Sequence, residues 1–437
     1  MNQSKRNYKF SLFIIGILYF VFGFVTWLNG TLIPFLKIAC QLSDFFAYFV
    51  TFAFYISYFV MALPSSRILE KIGFKNGIAS GLFAMAIGSV LFIPAAYERS
   101  YVLFLIGLFV LGTGLALMQT AVNPYVTILG PMESAAKRIS IMGICNKFAG
   151  ILAPLILASF LFSGSEHLVK EIELSIDPKL QSSLLDTLAL QLIQPYLIMT
   201  IILVLLGILI KFTHLPEIDK DDEKENKPSR SIWKYPYIFF GVIALFFYVG
   251  VEVIAADTVI QYGKSLGVGV ESAKYFTSLT LISMVIGYFI GVVLIPKVIS
   301  QRQALIGSSI LGIIFVVAAL SVAAEAHFSF SFIDITTLNP IQMFIPHTVF
   351  FITLLGLSNA MVWPTIWPLA LDGLGHHAKK ASAFLIMAIA GGALLPLIYG
   401  KLADKIGTQQ AYWIAIPCYF IILIYALYGY KIGKNNK

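Results

Sequence analysis

Charge is scarce in this chain: of 437 residues, 12% are Asp, Glu, Lys or Arg, about half the share of an ordinary soluble domain. That shortage excludes a water-facing globule of this size, because 59% of the residues are apolar and one core could not hide them. Cysteine is scarcer still. Cys40, Cys145 and Cys418 are odd in number and two lie in apolar runs, so no disulfide framework is implied. The ten-residue alternating pattern of an outer-membrane barrel is missing, and long unbroken apolar runs stand in its place. Also missing are a phosphate-loop lysine motif, a His-Glu-x-x-His zinc motif and a nucleophile elbow. Gly112-x-Gly114 lies in an apolar helix and is no nucleotide loop, so the chain reads as no enzyme and calls for no cofactor or metal. The net charge of +8 comes without a basic cluster, which removes nucleic acid as a partner.

What is present is hydrocarbon in long stretches. A membrane span needs about 20 mostly apolar residues. Such runs fall near 10–36, 45–65, 74–96, 101–129, 139–163 and 193–213, then near 235–263, 273–296, 303–324, 343–371, 381–400 and 411–430. Between the two sets, 214–234 carries Asp219, Lys220, Asp221, Asp222, Glu223, Lys224 and Glu225. The sequence thus predicts an all-α polytopic membrane protein with twelve transmembrane helices in two six-helix bundles. These occupy 1–213 and 235–437, joined by a charged cytoplasmic linker at 214–234.

Lysine and arginine set the orientation. With the N-terminus inside, 21 of the 30 fall on its side of the membrane. Eight lie opposite (Lys37, Arg99, Lys170, Lys179, Lys264, Lys274, Lys401 and Lys405), which leaves Lys147 within a span. Both termini are expected in the cytoplasm, as an even number of spans requires. Lys5, Arg6 and Lys9 precede an apolar run with no small-residue cleavage site, so it reads as an uncleaved first span. The expected setting is the cell inner (plasma) membrane, with the lipid bilayer as partner and a monomer as the working unit.

The halves echo each other. Residues 122–130 run Val-Asn-Pro-Tyr-Val-Thr-Ile-Leu-Gly, followed by Lys137-Arg138 and Ile141-Met142. Residues 362–375 run from Val-Trp-Pro to Leu-Gly, followed by Lys379-Lys380 and Ile386-Met387, and Pro154 and Pro396 match in the next span. A parallel duplication of six-helix units points to alternating access around a site at mid-membrane. The loop 164–192 has helical periodicity and is expected to lie on the membrane surface.

Ionisable residues inside hydrocarbon are costly, so each is a candidate site. Three stand out: Lys147 in span 5, and Glu252 and Asp257 in span 7. Glu252 has no lysine or arginine within a turn, and desolvation there favours the neutral acid, which suits a group that takes and releases a cation. A fixed ion pair is the plainer role for it. Asp257 lies five residues on, about 140° around an ideal helix, so both acids reach one cavity only if span 7 bends; Gly250 is the nearest weak point. Otherwise Asp257 shares a stripe with Gln261 toward the outer mouth, and site and gate both stand open for it. Lys147 lies nine residues past Arg138, about 13 Å deep. Its stem can snorkel back or serve as counter-ion to either acid.

A neutral polyhydroxylated ligand calls for planar hydrogen-bonding groups and an aromatic face. Span 4 offers Gln119 and Asn123 at a four-residue step, and span 10 offers Asn359, Trp363 and Trp367 at the same step. Span 1 adds Trp27 and Asn29, and span 5 adds Asn146. Each amide alone could simply bridge two helices. Asn29-Gly30-Thr31 fits a glycosylation sequon but lies within a span.

These segments resemble the major facilitator superfamily. After span 2, Ser66, Glu70, Lys71, Gly73 and Lys75 match, in weakened form, its loop signature, whose acid and bases are implied to latch one conformation. The run Gln-Thr-Ala-Val-Asn-Pro-Tyr-Val-Thr-Ile-Leu-Gly-Pro at 119–131, Gly-Ile-Cys-Asn-Lys-Phe-Ala-Gly around Asn146, and Leu28-Asn29 before Leu32-Ile33-Pro34 are similar to the fucose permease branch, the fucose–galactose–glucose:proton symporters. Within it the likeness is strongest to bacterial glucose/galactose transporters and covers nearly the whole chain. The resemblance implies that spans 1, 4 and 10 line the cavity and that span 7 is broken near the site. Fucose permease carries an aspartate where this chain has Gly30 and a glutamate where it has Gln119. Its proton route therefore does not carry over, and L-fucose is less favoured as substrate.

Together these readings point to a secondary active transporter importing a neutral hexose, glucose or galactose, by alternating access with H+ or Na+ symport. Asn29, Gln119, Asn123, Asn146, Asn359, Trp363 and Trp367 are its candidate sugar contacts, Glu252 and Asp257 its cation-coupling acids, and Lys147 a candidate counter-ion. The alternative is a drug or organic-cation/H+ antiporter of the same superfamily, which a central acid and many aromatics also suit.

Overall fold

The computed structural model describes residues 2–128, 135–162, 166–175, 177–213, 235–295, 297–323, 326–333, 340–372, 374 and 378–433; the charged linker 214–234 lies outside them. Eleven stretches are long and apolar enough to cross a membrane. One of them, Asp44–Tyr97, has 54 residues, and at 1.5 Å per residue it would measure about 80 Å, more than twice the hydrocarbon core. It is two spans. The helix Phe49–Val90 turns over at Gly73, whose φ of 79° is a left-handed position that glycine takes without a steric penalty. The count is therefore twelve, in two bundles of six, as the sequence predicts.

Span 6 shows why lipid is the solvent. Along Ile193–Phe212, eight large apolar side chains are exposed, among them Leu197, Ile198, Ile201, Ile202, Leu205 and Leu209, a broad apolar face of a kind that water-facing surfaces do not carry. Inside, close approach substitutes for a hydrophobic drive. A Cβ on Gly81 of span 3 would sit 2.7 Å from the Gly114 carbonyl oxygen of span 4. Fully buried tyrosines fill the rest, and Tyr58, Tyr412 and Tyr419 tie helices together through their hydroxyls.

Spans 1, 7, 10 and 11 are interrupted within their length, and the break in span 10 follows from proline. Span 1 divides into Asn2–Trp27 and Asn29–Ala39, with Pro34 in its second piece. Span 10 divides into His347–Asn359 and Val362–Leu371, and Pro364 cannot return a bond to the carbonyl of Ala360 in the gap. Span 11 passes from Ala378–Met387 through a 3₁₀ turn at Ala388–Ala390 into Gly391–Ile406, with Pro396 one turn on. Past Pro236 in its first turn, span 7 has no proline. It divides into Pro236–Asp257 and Val259–Ser265 at Thr258, whose hydroxyl bonds back to the Ile254 carbonyl at 2.6 Å, a contact that bends helices.

Two departures from the sequence reading lie at the end of the bundle away from the chain termini, called here the distal end. Span 10 begins at His347, not near 343, because 340–346 is the second strand of an antiparallel hairpin, His327–Ile333 with Pro340–Pro346. Loop 164–192 does form helices, Glu166–Leu174 and Pro178–Leu190. Their apolar residues Ile172, Leu185 and Leu188 are buried within the protein, however, and Arg99 holds the second helix through the Ser182 carbonyl and Asp186.

Candidate functional site

The centre of the bundle holds a buried ion pair that joins the two halves. Lys147 Nζ of span 5 lies 2.6 Å from Glu252 Oε1 of span 7 and donates a hydrogen bond to it. Both side chains are about nine-tenths buried. The lysine does not run back to the interface; its ammonium sits 4.4 Å from the centre of the Trp27 ring on span 1, a cation–π arrangement. Span 7 positions Glu252 a turn after Tyr248, and Tyr288 of span 8 is within its electrostatic reach. Of the two roles left open for Lys147, the structure has the counter-ion arrangement, with the base coming from 105 residues away, a distance at which sequence spacing is silent.

Span 7 does not break between its two acids. Gly250, the expected weak point, is helical and receives Leu395 of span 11, with which an added Cβ would overlap. Helix continues to Asp257, so the two carboxylates stand about 7.5 Å apart along the axis and point to different neighbours. Asp257 is fully buried, and neither of its carboxylate oxygens has a hydrogen-bond partner. Its backbone packs on span 1, where a Cβ on Gly30 would be 3.6 Å from Asp257 Cα and 2.9 Å from Thr277 Oγ1.

Three of the predicted amides are already engaged with other groups. Gln119 donates to the Tyr58 hydroxyl at 3.0 Å, Asn146 to the Tyr19 carbonyl at 3.3 Å, and Asn359 accepts from the Tyr419 hydroxyl at 2.9 Å. Asn29 is the exception: it is buried and both atoms of its amide lack a partner. Asn123 lies on the span 4 helix Tyr101–Ile128, but its side chain is outside the described residues. Trp363 and Trp367 are half-buried, their rings 5.5 Å apart, with Tyr248 6.3 Å from Trp363. The result is an aromatic wall on span 10 that meets span 7 at Tyr248, one turn before Glu252. An unrelated cleft of about 340 Å³ between span 2 and spans 7 and 11, lined by Ile56, Phe59, Phe246 and Phe384, offers a polyol nothing to bond.

The distal end is shut by polar contacts that sequence reading missed. Asp44 Oδ1 accepts from Lys37 at 2.6 Å and from Gln261 of span 7 at 3.3 Å. Asp404 of span 11 accepts from the backbone N–H groups of Asp44 and Phe45, both at 3.0 Å. Tyr48 meets Tyr399 edge to face at 5.5 Å, so the contacts run from the first half to the second. Loop acids and lysines look solvated in a sequence; only the abundance of tyrosine, 21 in all, hinted at polar packing. At the opposite end, the predicted latch residues surround the Gly73 turn. Glu70 and Lys71 are exposed on the last turn of span 2, and Lys75 is half-buried just past the turn. Among the described residues, no group of three or more His, Cys, Asp or Glu could hold a metal ion.

Comparison with known proteins agrees with this architecture. Residues 15–392 match the Major Facilitator Superfamily. The chain is 33% identical to a glucose/galactose transporter of Brucella abortus biovar 1 (strain 9-941) over 433 residues, 98% of this chain and 96% of that protein. It is 29% identical to the L-fucose-proton symporter of Escherichia coli (strain K12) over 446 residues, 99% and 96% of the two chains. The crystal structure of the transporter FucP in the outward conformation superposes with a TM-score of 0.72 at 27% identity, covering 97% of this chain and 99% of that one.

Proposed function

The chain belongs to the Major Facilitator Superfamily, and from that membership we propose that it imports a neutral hexose, glucose or galactose, across the bacterial inner membrane by alternating access coupled to a cation. The observation that carries this reading is the Lys147–Glu252 pair, which bridges the halves at 2.6 Å beside Trp27, with the Trp363–Trp367 wall meeting span 7 one turn before Glu252. A neutral polyol suits a centre whose formal charges already cancel. Its hydroxyls can exchange with the amide bonds of Gln119, Asn146 and Asn359, and its C–H face can stack on the span 10 tryptophans. A cationic drug would instead meet Lys147 beside Glu252, which weighs against the antiporter alternative. The relatives named above, a glucose/galactose transporter and a fucose-proton symporter, favour a sugar, and the second favours the proton as the ion.

Alternating access follows from the same geometry. With the termini in the cytoplasm, the closure by Asp44, Gln261 and Asp404 is the outer gate, and this state is shut to the outside. Opening the outer gate requires the two halves to rock about the centre, so the Lys147–Glu252 pair lies where sugar and both gates can be sensed together. One chain holds the whole route, in keeping with a monomer. The test is counterflow in proteoliposomes preloaded with unlabelled hexose: labelled glucose or galactose should enter transiently above its equilibrium level. Counterflow of a cationic dye, with none for any hexose, would reverse the assignment.

A further inference from the structure

We infer that Asp257, with Asn29 and Tyr55, forms the binding site for the coupling cation, separate from the Lys147–Glu252 bridge. The inference rests on the reading of a cation-coupled sugar carrier and names the place where the ion sits.

The first observation is an accumulation of unmet polar atoms. Both oxygens of Asp257, both amide atoms of Asn29 and the Tyr55 hydroxyl are buried without a hydrogen-bond partner. Buried polar groups in native proteins are nearly always satisfied, and an isolated carboxylate is the costliest to leave bare. The second observation is that these atoms belong to one locality built by three spans. Gly30, the neighbour of Asn29, packs against the Ala256 carbonyl and Asp257 Cα. Tyr55 of span 2 and Val253 both press on Gly392, each 3.0 Å from where its Cβ would be. Val253 lies one turn before Asp257, so it shares a helix face with it. Tyr55 is therefore on the Asp257 side of span 7, and it is within electrostatic reach of that carboxylate.

The third observation is the contrast with Glu252. Its charge is already met by Lys147, so an added cation would first have to break that pair. No such competitor occupies Asp257. The charged and titratable groups within reach of it are Glu252 on its own span, Lys147 from span 5, and Tyr48 and Tyr55 from span 2; span 1 and span 8 bring only Asn29 and Thr277. A proton would form an O–H bond on one carboxylate oxygen, drawn from water on the outer side and returned to water inside. A sodium ion would be held by the carboxylate, the Asn29 carbonyl and the Tyr55 hydroxyl, hard oxygen donors of the kind such ions take. In either case the outer gate can close over Asp257 at low cost only when the carboxyl carries its cation.

The experiment compares accumulation with exchange in proteoliposomes. Asp257→Asn fixes the site in its neutral form. Equilibrium exchange of labelled glucose should fall no more than about fivefold, while accumulation under an imposed H+ or Na+ gradient falls to the equilibrium level. Glu252→Gln, in contrast, should impair both. Gradient-driven accumulation by Asp257→Asn with the ion dependence of wild type would overturn the inference. Loss of hexose exchange in wild type itself would instead remove the transport reading beneath it. Tyr55→Phe is the milder variant should Asp257→Asn not fold: the half-saturating concentration of the driving ion should rise threefold or more, and an unchanged value would overturn the inference. Separate titrations of H+ without sodium and of Na+ at fixed pH identify which cation the site takes.

Discussion

Spans 1 and 7 open the two six-helix units, and both are interrupted where they meet, yet they bring opposite chemistry to the junction. Span 1 breaks between Trp27 and Asn29 and presents an indole, an amide and the bare backbone of Gly30. Span 7 breaks one residue after Asp257 and carries both acids. The two breaks fit together because Gly30 has no side chain to hold them apart. The difference teaches how duplicated helices divide labour: one gives shape and a π face, the other gives charge. Lys147 links the two roles, since it bonds Glu252 of span 7 and lies over Trp27 of span 1.

The sharpest way to break this division is to strand the acid. Lys147→Met leaves Glu252 buried without its base, a change that costs about 3–5 kcal/mol in buried pairs. We expect loss of hexose counterflow beyond detection and a lower melting temperature in detergent. The double variant Lys147→Met/Glu252→Gln should regain most of the thermal stability, because no bare charge remains. A smaller effect is expected from the shape side. Gly30→Val would push into Thr277 Oγ1 and the Ala256 carbonyl, so sugar should still quench tryptophan fluorescence while counterflow slows tenfold or more. The smallest effect concerns Cys40, which caps the second piece of span 1. Burial pushes its thiol up to about 11 against the pull of Arg99. In a Cys145→Ser/Cys418→Ala background, its maleimide labelling should therefore be slow at pH 7 and rise about tenfold per pH unit toward 10, following the thiolate.

The spans were legible in the sequence because each apolar run is long and each turn carries charge or glycine; Gly73 between Lys71 and Lys75 is the plainest case. The breaks in spans 10 and 11 were not read from the sequence, although Pro364 explains the first. A break in span 7 was implied by the resemblance, but its place at Thr258 was not legible, since a threonine in a helix signals nothing until its hydroxyl finds the carbonyl four residues back. The hairpin at 327–346 was hidden by running into an apolar span, although Phe-Ser-Phe-Ser-Phe has the period of a strand. At the centre, composition singled out Lys147, Glu252 and Asp257 by their cost in hydrocarbon. It could not say which acid owns the lysine, because that is decided by how span 5 packs on span 8 and how far the lysine stem then reaches toward span 7. The closure at the distal end was invisible for the same reason: Asp44 and Asp404 are 360 residues apart.

The measurement that tests the account most directly is labelled glucose uptake by wild-type protein in proteoliposomes under separately imposed H+ and Na+ gradients. The account predicts that one inward cation gradient drives glucose inside above its external concentration and that an ionophore for that ion abolishes the excess. Uptake that stops at equilibrium under both gradients would contradict it.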